Sequence, residues 1–383
     1  MRNIHQKKLE TYIYKLMITY KITHVNGLHF ELTGDEGKNK EYDVSFVDRN
    51  TETPGFFLPQ NKIIYETKLS PGGWAKLSRK YLSDIAIFIK YKDRIVKQIN
   101  LLDEIKGNKV FISFESKSLG DSIAWIPYCL EFKEVYGCEV VVSTFKNELF
   151  ESAYPELTFV PRGQVVNNII AMFELGWYWD KDEEPTHPAT IPLQQAASNI
   201  LCLPFREIQP RIAFTPKERP IPIGKYICIS TRSTAQCKHW YYWPELIAEL
   251  KSKGYRVFEM SKEADDYGAE KLEDTSLETT MNYLHHAELF IGLSSGISWL
   301  NWGIQKQTVM ISNFTTPDHE FQSNCIRIIN KDVCNGCWNN PVFKFNKGDW
   351  NWCPEHEDTP RQFECHTSIS AEMVIAEIKK AGI

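Results

Sequence analysis

The sequence predicts an α/β protein with two doubly wound halves, a β-rich domain before them, and a metal-stapled cysteine segment near the C-terminal end. Three observations carry this expectation. A strand–loop–helix–strand grammar begins at Lys109 and restarts near Lys225, the pattern of βαβ units in a parallel sheet. Between them LPFREIQPRIAFTPKERPIPIG is proline-rich and reads as an inter-domain crossover. Cys334, Cys337, Cys353 and Cys365 then follow at a spacing that can close a tetrahedral four-thiolate site.

Taken in order, residues 1–104 read as β-rich. ITHVNGLHFEL predicts strand–turn–strand, NKIIYETKL and DIAIFIKYK alternate as half-buried strands, and PGGWAKLSRKYL supplies a Pro-Gly-Gly turn. A small barrel or sandwich follows. Residues 105–210 form the first doubly wound half. KVFISFES is a strand, SLGDSIAWIPYCLEFKEVYG a helix closed by Gly137, and CEVVVST the next strand. Residues 211–383 form the second half and include the cysteine segment, 331–366. KYICIS is its first strand, and PELIAELKSKG is a helix with Pro244 in its first turn and Gly254 past its end. YRVFEMS, AELFIGLSS and KQTVMISN continue the sheet, with SGISWLNWGI a helix between the last two. Two such halves facing each other place a cleft at the C-terminal ends of both sheets, where these folds bind ligands.

Composition excludes several classes. The 383 residues are too many for one ordinary core, and 43% hydrophobic with 13% aromatic content is globular. A net charge of −5 without a long basic run argues against nucleic acid as a partner. Lys and Glu interrupt the first residues every few positions, so no secretory signal is read there, and no apolar run approaches a membrane span. A cytoplasmic protein is expected. Cys129, Cys138, Cys202, Cys228, Cys237 and Cys325 lie among apolar neighbours and read as reduced.

The cysteine segment has almost no aliphatic residues to hold it folded, so a metal ion would supply that energy. Two disulfides are the other reading, which needs an oxidising compartment. Four thiolates suit zinc or iron about equally and leave no open coordination position, so the site is expected to be structural.

Three loops could carry chemistry. Asp121, between a strand and a helix, is either a general base or an N-cap. Thr231, Arg232, Ser233 and Thr234 lead to Lys238, a donor-rich loop that suits phosphate oxygens or is simply solvated. Ser294, Ser295 and Gly296 feed a helix whose N–H groups can receive an anion; tight packing is the alternative. All three end predicted strands and converge on one cleft, an arrangement suited to group transfer from a phosphate-activated donor. No G-x-x-x-x-G-K-[ST] or G-x-G-x-x-G occurs, which argues against NTP hydrolysis and dinucleotide redox chemistry. His239, His285 and His286 sit beside apolar or aromatic residues and read as structural.

SLGDSIAW, TRSTAQCKHWYYWP, ELFIGLSSGISWLNWG, SNFTTPDHEF, GGWAKLSRKYLSD and CNGCW…WCPEH…RQFECH together resemble the bacterial autotransporter heptosyltransferases, relatives of the lipopolysaccharide heptosyltransferases. The resemblance covers nearly the whole chain. It implies a GT-B fold, an added N-terminal β domain and a four-cysteine finger holding one iron ion. It implies inverting transfer of heptose from ADP-heptose to serine hydroxyls of an autotransporter adhesin in the cytoplasm, with no divalent cation demanded. Asp121 matches the family's base and Lys238 the cation facing the diphosphate. Thr231 and Ser233 fall on the donor side, and Ser294, Ser295 and Gly296 match the diphosphate loop. A large homo-oligomer is also implied. Ser294-Ser295-Gly296 departs from the Asp-Thr-Gly type of the lipopolysaccharide branch, so roles from that branch do not transfer there. Two other readings stay open: the same fold with another nucleotide sugar or a glycan acceptor, and a non-catalytic metal-finger assembly protein.

Overall fold

The computed structural model describes residues 18–34, 40–49, 62–78, 84–178, 186–220, 224–346, 348–349, 351–380 and 382. Residues 1–17, on which the signal-peptide expectation rests, and 79–83 of PGGWAKLSRKYL lie outside the described residues. Two compact units divide the chain. One holds Met1–Val110 with Tyr136–Cys138 and Asn167–Met172, and the other holds Phe111–Val135, Glu139–Val166 and Phe173–Ile383.

The first unit is built from β1 (Thr19–His24), β2 (Leu28–Gly34), β3 (Tyr42–Asp48), β4 (Lys62–Leu69), β5 (Trp74–Lys76), β6 (Ile85–Tyr91), β7 (Arg94–Asn100) and the short helix α1 (Leu101–Ile105). β1, β2 and β5 pair antiparallel, and a four-stranded sheet has the order β4-β3-β6-β7. The β1–β2 hairpin turns at Asn26 and Gly27, both at positive φ (53° and 92°), as a tight turn of the primed type requires. A Cβ at Gly27 would lie 2.0 Å from the Leu77 carbonyl oxygen, so only glycine fits. The inward residues of both sheets, among them Leu28, Phe30, Tyr42, Phe46, Ile87 and Ile99, share one core. Burying each such side chain is worth roughly 1.5–3 kcal/mol.

The second unit is built around two sets of strands. The first comprises β8 (Lys109–Phe114), β9 (Glu139–Ser143), β10 (Thr158–Phe159) and β11 (Ala171–Leu175) in the order β10-β9-β8-β11, with helices α2 (Leu119–Tyr136) and α3 (Leu193–Ile200). α2 ends before Gly137, whose φ of 62° turns the chain out of the helix. The other sheet comprises β12 (Tyr226–Ser230), β13 (Arg256–Glu259), β14 (Glu270–Lys271), β15 (Leu289–Leu293), β16 (Thr308–Ile311) and β17 (Cys325–Ile328). Its order is β14-β13-β12-β15-β16-β17, parallel throughout. Helices α4 (Trp243–Ser252), α5 (Leu277–His286), α6 (Gly296–Gly303), α7 (Glu364–Thr367) and α8 (Ala371–Lys380) complete it. β12 and β15 are buried along their whole length, as strands covered on both faces must be. Ile227, Ile229, Leu289 and Ile291 pack with Leu246 and Leu250 of α4 and with Val374 and Ile378 of α8.

Numbered within each half, the strand orders are 3-2-1-4 and 3-2-1-4-5-6. The order reverses between β8 and β11, and again between β12 and β15. Loops leaving the C-terminal ends of those strands flank a topological switch point, where doubly wound folds place their ligands. The loop after β8 leads to Asp121 and β11 leads to Trp177. The loop after β12 carries Thr231–Lys238, and the one after β15 carries Ser294–Gly296.

Candidate active site

Asp121 lies in the first turn of α2 and is buried. The capping task there falls to Ser118, whose Oγ accepts from the Asp121 backbone N–H at 3.4 Å. The Asp121 carboxylate is therefore free of the helix end. Its Oδ2 accepts from Ser116 Oγ at 2.6 Å and from Trp177 Nε1 at 2.8 Å. Both donors reach the same oxygen.

Lys238 ends a single 3₁₀ turn at the end of the β12 loop. Its ammonium donates to the Ser294 carbonyl (3.4 Å) and lies 3.5 Å from Ser294 Oγ and 5.5 Å from the centre of the Phe314 ring. Burial lowers its pKa below the usual lysine range, and the nearby carboxylate of Glu320 pulls the other way. Ser233 Oγ donates to the same Ser294 carbonyl at 3.1 Å. Thr231 is buried and its Oγ1 has no hydrogen-bond partner among the described residues, nor has the buried Oγ of Ser295. Ser295 is the N-cap residue of α6 without making a side-chain cap bond. The unpaired Ser295 hydroxyl at the start of α6 and the unpaired Thr231 hydroxyl on the loop that carries Lys238 form a donor set that can receive an anionic ligand.

Gly296 touches the other half of the unit. A Cβ there would lie 3.0 Å from Leu119 Cβ and 3.4 Å from the Gly120 nitrogen, and one on Gly120 would meet Gly296 Cα at 3.6 Å. Paired glycines thus bring the starts of α2 and α6 together. Asp121, Lys238 and Ser294–Gly296 consequently share one site.

Sequence reasoning missed Glu320 and Arg327. The Glu320 side chain is 1% exposed and pairs with Arg327 at 2.9 Å. It also accepts from Ser294 Oγ at 2.5 Å and from Thr315 Oγ1 at 2.9 Å. Burial alone would raise its pKa, but Arg327, His319, the Ser294 hydroxyl and Lys238 together lower it. Trp177 was missed as well, although its place directly after β11, at the switch point opposite Asp121, is the signal that marks it. Around it, His319 stacks at 6.3 Å and Trp338 meets it edge-on at 5.6 Å. The His319 pKa is lowered, by burial first.

Trp338 belongs to the cysteine segment. Cys237, Phe314 and Trp352 form a small core with Cys337, Trp338, Phe345 and Phe363 packed on it. Cys334 Sγ and Cys337 Sγ are 4.0 Å apart, close to the roughly 3.8 Å edge of a tetrahedron with metal–sulfur bonds of about 2.3 Å. Burial pushes the Cys337 thiol up to about 12, with Cys334 and Cys353 adding to the rise. Burial also raises Cys365, with Cys337, Cys353 and Cys334 contributing. The Cys334–Cys337 separation is that of a metal-binding knuckle, so this pair fits a bound ion. Cys334, His356 and Glu364 also bring three ligating atoms within 4.8 Å of one another. Glu364 accepts from the Cys334 N–H at 3.2 Å and pairs with His356 and Arg361, an arrangement that orients the cysteine knuckle from outside. Of the other six cysteines, Cys129, Cys138, Cys228 and Cys237 are buried.

A carboxylate at one switch point and an ammonium with unpaired hydroxyls at the other are an arrangement that can serve group transfer from an anionic donor. No protein-family model matches the chain. It is 33% identical over 334 residues to the autotransporter heptosyltransferase BAHTCr of Citrobacter rodentium, covering 80% of this chain and 79% of that one. It is 34% identical over 334 residues to the autotransporter heptosyltransferase TibC of Escherichia coli O78:H11, covering 80% of both. BimC of Burkholderia thailandensis, described as an inactive autotransporter heptosyltransferase, is 29% identical over 358 residues, or 88% of this chain and 81% of that one. The crystal structure of TibC, described as an iron-containing dodecameric glycosyltransferase, superposes with a TM-score of 0.78 at 29% identity over 95% of both chains. A TibC complex with ADP-D-β-D-heptose matches equally well, at 28% identity. The chain belongs to the autotransporter heptosyltransferase family. It is an enzyme, a glycosyltransferase with the α/β fold of TibC. Among the described residues no helix is long and apolar enough to cross a membrane.

Proposed function

We propose that this chain transfers heptose from ADP-heptose to serine hydroxyls of an autotransporter adhesin, with inversion at the anomeric carbon. The carrying observation is the Asp121 carboxylate, released from capping and fixed at Oδ2 by Ser116 and Trp177. In this reading the serine oxygen bonds to the anomeric carbon as the bond from that carbon to the diphosphate oxygen breaks. The serine proton passes to Asp121 Oδ1. The charge that gathers on the departing ADP is met by Lys238, by the Ser295 and Thr231 hydroxyls and by the start of α6, with Ser233 bracing the Ser294 carbonyl. Gly296 serves by letting α6 reach α2. The ADP-heptose complex of TibC and the names of the relatives support the donor and the acceptor. BimC is described as inactive, so the mechanism rests on these side chains and not on kinship alone.

The fold is read as GT-B, each parallel sheet with its switch point forming one Rossmann-like half. Cys334, Cys337, Cys353 and Cys365 would hold one metal ion, and the iron described for TibC favours iron. Such an ion stabilises the fold and offers no open position to substrate. The dodecamer described for TibC supports a large homo-oligomer. A cytoplasmic location would place the enzyme with its nucleotide-sugar donor and its acceptor before export.

Asp121→Asn and Lys238→Ala, assayed for heptose incorporation into an acceptor passenger fragment, test the mechanism. Loss of a general base costs about 10²–10⁴-fold in rate. Near-normal turnover by Asp121→Asn would remove Asp121 from the chemistry.

A further inference from the structure

The carboxylate that takes the proton is not self-supporting. Ser116 Oγ and Trp177 Nε1 both donate to Asp121 Oδ2, at 2.6 and 2.8 Å. With the serine alone, the carboxylate could rotate about its last bond and exchange its two oxygens. The indole N–H is rigid and removes that freedom. Trp177 is 37% exposed, so burial does not fix the ring, and its aromatic neighbours must. Trp338 meets it at 84° with centroids 5.6 Å apart, His319 stacks at 6.3 Å, and Trp125 lies 6.3 Å away.

Trp338 follows Cys337 directly and sits in the 3₁₀ turn Cys337–Asn339. That turn is pinned from several sides. The Trp338 backbone N–H donates to the Phe314 carbonyl at 3.1 Å. Asn339 accepts from the Thr316 N–H at 2.8 Å, lies 3.1 Å from His319 Nδ1 and donates to the Ala189 carbonyl. The Trp338 ring is backed by Phe345 at 5.2 Å and Phe314 at 5.9 Å. Its own Nε1 is buried with no hydrogen-bond partner among the described residues. Trp177 therefore acts through its N–H, and Trp338 through its ring alone.

We propose that Trp177 is a positioning residue for Asp121 and that the cysteine segment, through Trp338, holds Trp177 in place. This rests on Asp121 being the base. The segment then has a second consequence for the enzyme besides folding: its packing sets the rate of proton removal without any ligand of the metal touching substrate.

The test uses the full-length enzyme with ADP-heptose and an acceptor fragment, measuring kcat and donor KM separately. A hydrogen bond to a charged group is worth enough that Trp177→Phe is expected to lower kcat about 10- to 100-fold with donor KM within about twofold. Trp338→Ala should lower kcat in the same way, and Trp338→Phe should restore it, since the ring is kept and its N–H had no partner. Thermal melting of each variant separates a lost contact from a lost fold. If Trp177→Phe keeps the parent kcat while Asp121→Asn loses it, the positioning role is wrong and the base assignment stands. If both variants turn over normally, the base assignment fails and this inference fails with it. A drop in kcat accompanied by a raised donor KM and a lowered melting temperature would also overturn it, because that is the signature of a purely structural tryptophan.

Discussion

Glu320→Ala is expected to be among the most damaging single substitutions outside the reacting groups. The side chain is 1% exposed and its partner Arg327 9% exposed, with 2.9 Å between Oε2 and Nη1. Removing the carboxylate leaves a buried guanidinium uncompensated, a change that typically costs about 3–5 kcal/mol. Ser294 Oγ and Thr315 Oγ1 lose their acceptor as well. Against a total stability of about 5–15 kcal/mol, that is a large fraction. Glu320→Gln keeps an acceptor and the volume and should cost less. Urea unfolding at pH 7, read as a fall in midpoint at unchanged slope, measures both. The folded-state pKa of Glu320 is depressed below its unfolded value. Its contribution is therefore complete above the unfolded carboxylate value of about 4.3 and fades as pH falls through the folded one. A Glu320→Ala cost below about 1 kcal/mol would refute the reasoning, as would a loss that grows on raising the pH from 5 to 8.

Gly296→Ala places a methyl 3.0 Å from Leu119 Cβ, so overpacking should cost about 1–3 kcal/mol and lower kcat by parting α6 from α2; parent-like kinetics would count against the shared site. Lys238 has a lowered pKa, from burial first, so turnover should be lost on raising pH below the ordinary lysine range, and Lys238→Arg should move that alkaline limb upward. A pH profile flat to the usual lysine value would contradict this. Cys353→Ser should lower the metal-to-chain ratio in elemental analysis together with the melting temperature. A variant that loses the metal yet keeps the parent melting temperature would remove the ion from the stability of the segment.

Most of the strand and helix order was legible because the two periods are local. KYICIS and AELFIGLSS read as buried strands and became β12 and β15, and Pro244 and Gly254 bracket α4 as expected. Loops that end strands are also readable, so Asp121, Lys238 and Ser294–Gly296 could be assigned to one place. What stayed hidden is long-range. Ser118 takes the cap that Asp121 seemed suited to make, because the aspartate turns toward Trp177, 56 positions away. Glu320 lies in SNFTTPDHEF, noted only for its resemblance, its partner Arg327 lies beyond it, and nothing local marks a carboxylate as buried. Likewise His356 and Glu364 stand inside the cysteine segment, yet spacing singles out the sulfurs and says nothing of the groups that orient them.

The central claim is heptose transfer from ADP-heptose to serine with Asp121 as base. Intact-mass analysis of an autotransporter passenger fragment, incubated with the enzyme and ADP-heptose, UDP-hexose or GDP-hexose in turn, tests it most directly. The account predicts increments of whole heptoses located on serines with ADP-heptose alone, and none with the Asp121→Asn enzyme. Modification from a UDP- or GDP-sugar in preference to ADP-heptose, or undiminished modification by Asp121→Asn, would contradict it.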